Sequence, residues 1–160
     1  MNNRNKKSGL GFSTLELLII AVIVCLLAGV IITKFSAVRQ STRDEQRKTD
    51  ITLLQDAVET YQAENGRFPT VAQLNSDSFR KINMKDLAAG ALQDPKWSAK
   101  NKSCVKNGEV QVVDSANPPN GCYGYSALPP DCNATDVQCT DYVLTANLEA
   151  GSTYVKKSMD

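Results

Sequence analysis

Residues 17–32, Leu-Leu-Ile-Ile-Ala-Val-Ile-Val-Cys-Leu-Leu-Ala-Gly-Val-Ile-Ile, hold no charged or strongly polar side chain. With residues 12–15 the stretch reaches the roughly 20 residues that cross a bilayer as a helix. A membrane segment over about 12–33 is therefore predicted, and the rest of the chain must be arranged around it. Glu16 lies near its start. An ionised carboxylate inside an apolar helix costs on the order of 2.5–3.5 kcal/mol unless it is paired. Either Glu16 sits at headgroup level in an ordinary anchor, or something pairs with it.

The flanks bear on that choice. Arg4, Lys6 and Lys7 precede the block, followed by Ser-Gly-Leu-Gly. A secretory signal places its small-residue cleavage site after the apolar region, whereas here the small residues come before it. A cut between Gly11 and Phe12 would keep the apolar block and create a new α-amine on Phe12, four residues before Glu16. The residues Gly11-Phe12-Ser13-Thr14-Leu15-Glu16-Leu17-Leu18-Ile19 closely resemble the processing site of type IV prepilins and type II secretion pseudopilins. That resemblance implies cleavage after Gly11 by a membrane-embedded prepilin peptidase and N-methylation of Phe12. It also implies a pairing of Glu16 with a neighbouring subunit's Phe12 amine during assembly. The implied partners are identical or homologous pilin subunits in a helical filament, an assembly platform membrane protein, a motor ATPase and membrane lipid.

Composition narrows the function classes. Removing residues 1–11 takes away Arg4, Lys6 and Lys7, leaving 15 basic against 17 acidic residues, so no strong polyanion-binding field is implied. The basic leader ahead of the apolar block predicts residues 1–11 on the cytoplasmic side and everything after about residue 33 outside. This gives a single-pass cytoplasmic-membrane protein with its head outside, and the resemblance implies an envelope or cell-surface filament after assembly. There is no histidine, which removes the commonest general base and the Ser-His and Cys-His nucleophile pairs. No enzyme and no cofactor are expected. Cys25 lies in the apolar block as a packing residue. Cys104, Cys122, Cys132 and Cys139 lie in the exported part, where disulfides persist. Four cysteines allow three connectivities, and sequence does not choose among them. Pairing of sequence neighbours, Cys104 with Cys122 and Cys132 with Cys139, is the expectation. A four-cysteine zinc site would call for closer Cys-x-x-Cys pairs than these.

After the block, residues 39–50 are polar without Pro or Gly, and Asp44 and Glu45 are both spaced to meet Lys48 on a helix. Ile51, Leu54, Val58 and Tyr61, with Ala57 beside them, continue it as one apolar stripe. Asn65-Gly66 stops the helix and Pro69 follows. A helix over 12–65 would measure roughly 80 Å. The run from Asp50 through Tyr61 to Asn65-Gly66-Arg67-Phe68-Pro69 is similar to the helix end of pseudopilins and related pilins. Many type IV pilins also carry a proline in the second half of the membrane block; this one has none, and Gly29 is its weak point.

The head, residues 66–160, shows a capping box at Thr70-Val71-Ala72-Gln73 and a further helical turn or two from Asp86. Strands are predicted at 109–113, 122–128 and 142–148. In the last, Tyr142, Leu144, Ala146 and Leu148 share a face. Turn chemistry separates them at 117–121 and 129–131. Asp94-Pro95 resembles the family's Asp-Pro step, and the segment ending at Glu149, with Tyr154, its last strand. The predicted fold is α+β, a long N-terminal helix with a membrane-spanning first half, packed on a small antiparallel sheet. The domains are a leader at 1–11, the helix at 12–65 and the head at 66–160.

Three weaker signals stand beside these. Lys96, Trp97, Lys100, Lys102 and Lys106 form a basic run with one aromatic, as single-stranded DNA contact would require or as a solvated loop would also show. Asp131, Asp136 and Asp141 are calcium candidates that do not follow the EF-hand spacing. Asn101-Lys102-Ser103 and Asn133-Ala134-Thr135 match the glycosylation sequon. The function expected is a structural pilin or pseudopilin subunit, with a membrane-anchored extracytoplasmic binding domain, its leader unprocessed, as the alternative.

Overall fold

A computed structural model describes residues 13–88, 90–96, 103–106, 108–133 and 135–159, without the side chains of 28 and 30–34. Helix α1 is Thr14–Asn65, α2 is Val71–Asn75 and α3 is Asp77–Asn83; strands β1 to β5 are Val105–Lys106, Glu109–Val110, Tyr123–Leu128, Asp141–Asn147 and Thr153–Lys157. The chain divides into two compact units, Met1–Arg39 and Gln40–Asp160. The fold class is α+β.

In the first unit α1 is apolar on every side, because residues 17–20, 22–24 and 26–27 leave no polar face at 3.6 residues per turn. Among the described residues no helix is long and apolar enough to cross a membrane. The uncharged apolar run with described side chains, residues 17–27, is shorter than the roughly 20 residues a crossing needs.

The second unit is built on the predicted stripe. Ile51, Leu54 and Val58 are fully buried and Tyr61 nearly so. They pack against one face of a sheet ordered β3-β4-β5, antiparallel throughout. Register sets that face: Tyr123 pairs with Ala146, Tyr125 with Leu144 and Ala127 with Tyr142, and all six are buried. Residues two apart on a strand share a face, so one register places three aromatic rings toward the helix. Phe68, Leu74, Met84, Leu92 and Val112 complete the core. Helix α1 ends as expected: the Gly66 amide donates to the Gln62 carbonyl at 2.7 Å with φ of 71°, a conformation that glycine adopts without strain. The Thr70 capping box forms and opens α2.

Several expectations are corrected. Strand 109–113 is shorter, since β2 pairs with β1 through two residue pairs and then leaves the ladder. Val113 instead makes an isolated parallel bridge to Gly124. Residues 85–87 form a turn, while the helix in this region is α3, capped by Ser76. Leu148 lies outside β4, and the last strand is β5. It was missed because its alternation, half-buried Tyr154 and Lys156 against exposed Thr153, Val155 and Lys157, carries little apolar signal.

Candidate functional site

Gly11 and Phe12, the predicted processing site, lie outside the described residues. Glu16 is in the first turn of α1 and is exposed. Along the same stretch of α1 lie Leu15, Leu17, Leu18, Ile19, Ile20, Val22, Ile23, Val24, Leu26 and Leu27, all well exposed. Burying a large aliphatic side chain is worth about 1.5–3 kcal/mol. Ten such chains, each roughly half exposed, leave on the order of 10 kcal/mol available to whatever covers them. That exceeds the roughly 3 kcal/mol expense of taking Glu16 into an apolar setting. Cover for this segment is therefore strongly favoured even with the carboxylate included.

The head is held together covalently and by charge. Cys104 is bonded to Cys122, and Cys132 to Cys139, the sequence-neighbour pairing. Phe68 bridges Cys139, its amide donating to the Cys139 carbonyl at 3.0 Å, so the second disulfide is tied to the chain just after α1.

Arg47 points inward from α1 and is 2% exposed. It donates to both oxygens of Asp94 at 2.6 and 3.0 Å, to Asp44 at 2.7 Å and to Glu149 at 3.1 Å. Glu149 also accepts from Arg43 at 2.6 and 2.7 Å and from Lys96 at 2.7 Å. Asp44, expected to meet Lys48, instead accepts the backbone amides of Glu149 and Ala150. It faces inward, and Lys48 pairs with Glu45 at 2.7 Å. The hydrogen bonds that Arg47 donates to Asp94 are the main cause that holds the guanidinium charged, against the opposing effect of burial. The Arg43 hydrogen bond, joined by Lys96 and Arg47, draws Glu149 far below the usual carboxylate range against burial. Burial pushes Asp44 up, but the Glu149 amide, Arg47 and the Ala150 amide together bring it below its ordinary value. The Asp94-Pro95 step is thus an anchor: the two side-chain oxygens hold Arg47 and one also accepts the Lys96 amide at 2.7 Å.

Three tyrosines of the sheet reach out of the core with their hydroxyls. Tyr123 donates to Asp50, Tyr142 to Glu59 and Tyr125 to the Pro69 carbonyl, at 2.7, 2.6 and 2.6 Å. Burial raises Asp50 above the usual range, partly opposed by the Tyr123 bond. Sequence reading missed these roles; the signal present was that Asp50 and Glu59 flank the apolar stripe on α1.

Among the described residues no group of three His, Cys, Asp or Glu side chains is placed to hold a metal ion. Asp141 instead accepts from the Tyr142 amide and the Ser158 hydroxyl, and Asp136 accepts from Thr135. Of the basic run, Lys96 is engaged by Glu149 and Lys106 lies on β1; Trp97, Lys100 and Lys102 lie outside the described residues.

The chain is similar to the type II secretion system core protein G of Aeromonas hydrophila, 28% identical over 68 residues. That match covers 42% of this chain and 48% of the relative, about half its length. No family model and no solved structure matches.

Proposed function

We propose that the chain is a structural subunit of a type IV-like filament, a pilin or pseudopilin, matured by cleavage after Gly11 and assembled through residues 12–33. The observation that carries this reading is the segment of α1 exposed on all sides and apolar throughout, with one carboxylate, Glu16, in its first turn. Two further facts support it: the similarity to a type II secretion system core protein and a head with two disulfides, which suits an exported domain. Before assembly the apolar segment lies in lipid with the head outside the cytoplasm. Prepilin peptidase removes residues 1–11 and the new Phe12 amine is methylated. In the filament the same segment packs among its copies, and Glu16 meets a neighbour's Phe12 amine. An assembly platform and motor ATPase would move the subunit from one setting to the other.

N-terminal sequencing and mass spectrometry of the cell-associated protein test this reading. The mature chain should begin at methylated Phe12, and Gly11→Leu should leave the leader attached. A chain that keeps Met1 in its assembled form sinks the proposal in favour of an anchored binding domain.

A further inference from the structure

We infer that a second copy of this chain docks a patch made of Phe35, Val38 and Arg39 into an acid-rimmed groove on the head of the first. The groove, about 440 Å³, lies between the outer face of α1 and the segment that ends and follows α3. Its apolar lining includes Leu53, Ile82 and Leu87; Leu53 is 41% exposed and Ile82 68%. Asp56, Glu64 and Asp86 stand around it with one cation, Lys85. Among the described residues none of these three carboxylates joins an ion pair.

The complementary patch is on α1 of the first unit. Positions 35, 38 and 39 are related as i, i+3 and i+4 and so share one helix face. Phe35 and Val38 are 53% and 61% exposed. The Arg39 guanidinium lies 4.3 Å over the Phe35 ring and has no carboxylate partner among the described residues. An apolar patch with an arginine meets an apolar groove rimmed by acids, which is complementarity in both polarity and charge. Patch and groove are different surfaces of one chain, so the contact is heterologous and, unless it closes, adds copies without limit. The inference rests on the filament reading and adds a contact beyond the apolar segment.

Cysteine cross-linking of the full-length chain in its cells tests it. In a Cys25→Ala background, one tagged version carries Val38→Cys and a second carries Ile82→Cys; both positions are exposed, so folding is not at stake. Oxidation should link the two versions, at roughly tenfold the yield from cells with either version alone. Arg39→Glu in the first version should cut the linked fraction about tenfold, and Asp56→Lys with Asp86→Lys in the second should restore it. The docking is overturned by a yield no greater than the single-cysteine controls, by indifference to Arg39→Glu, or by failure of the lysines to restore the link. Filaments sheared from the same cells separate the two readings. Filaments without the link overturn the docking alone, and neither filament nor link overturns both.

Discussion

Arg47 shows why single charges in the head differ so much in weight. A guanidinium that is 2% exposed is tolerable because Asp94, Asp44 and Glu149 all accept from it. Asp94 is the partner that takes two of the Arg47 hydrogen bonds. Removing it leaves the buried guanidinium with Asp44 and Glu149 only, a penalty approaching that of a broken buried pair, about 3–5 kcal/mol. Asp94→Asn should therefore lower the unfolding free energy by about that amount in urea titration. Glu45→Gln breaks only the solvated pair with Lys48 and should change it by less than about 1 kcal/mol. The same residues set the response to acid. Asp44 and Glu149 titrate below their ordinary values, so their contribution is fully present above the unfolded carboxylate range near pH ~4 and is lost as pH falls from there through their lower folded values. Asp50, raised by burial, works the other way: its contribution is present in acid and is lost as pH rises through its folded value. Thermal melts should show the head weakening below about pH 4, and Asp50→Asn should remove the offsetting gain that the native head makes above that range, as pH falls through the raised Asp50 value. Of this the sequence showed the helix and the Glu45–Lys48 pair, while Asp44, also spaced to meet Lys48, faces inward. Which way Asp44 faces was decided by two backbone amides a hundred residues away.

At the level of elements, the outer face of the sheet is governed by Gly124 and Thr145, which pair across β3 and β4. A Cβ on Gly124 would strike the Ser115 carbonyl and lie 3.0 Å from the Pro118 ring, so the loop after Val113 can cross there only over a glycine. Gly124→Ala should cost about 1–3 kcal/mol by overpacking, whereas Gly90→Ala meets no described atom within 4 Å. Thr145 is fully buried, and its hydroxyl has no partner among the described residues. Thr145→Val should be neutral or stabilising, since it removes an unsatisfied polar group while keeping the shape. Differential scanning calorimetry of the three variants checks the order. The disulfides add a further term: reduction should cost roughly 2–5 kcal/mol, and thiol titration of the native head should find Cys104, Cys122, Cys132 and Cys139 all blocked. The strands β3 and β4 were legible from alternation, and the capping box from Thr70 and Gln73. β5 was not, because an edge strand with three exposed positions has no apolar period to read.

For the whole molecule, the question is how an apolar segment and a polar head share one chain. On the filament reading, Glu16 is carried into lipid by the apolar side chains around it and is neutralised only when a neighbour's amine arrives. Glu16→Leu should thus still insert and be cleaved, yet enter filaments poorly beside wild-type copies, because the Phe12 ammonium is left unpaired at about 3–5 kcal/mol. Glu16→Asp should be milder. Quantifying each variant in sheared filaments checks this; normal incorporation of Glu16→Leu would falsify the pairing.

What the sequence determined by itself was local. The apolar block, the stripe Ile51, Leu54, Val58 and Tyr61, the Asn65-Gly66 stop and the alternation in β3 and β4 each depend on residues within a turn or a strand of one another, where spacing alone sets which side is buried. The tertiary structure decided which partners meet across the fold: Arg47 with Asp94 and Glu149, Tyr123 with Asp50, the loop over Gly124, and the groove beside Leu53. Such contacts arise when distant segments are brought together by the burial of their apolar faces. No spacing in the chain encodes them, because the buried face is shared between elements and belongs to neither alone.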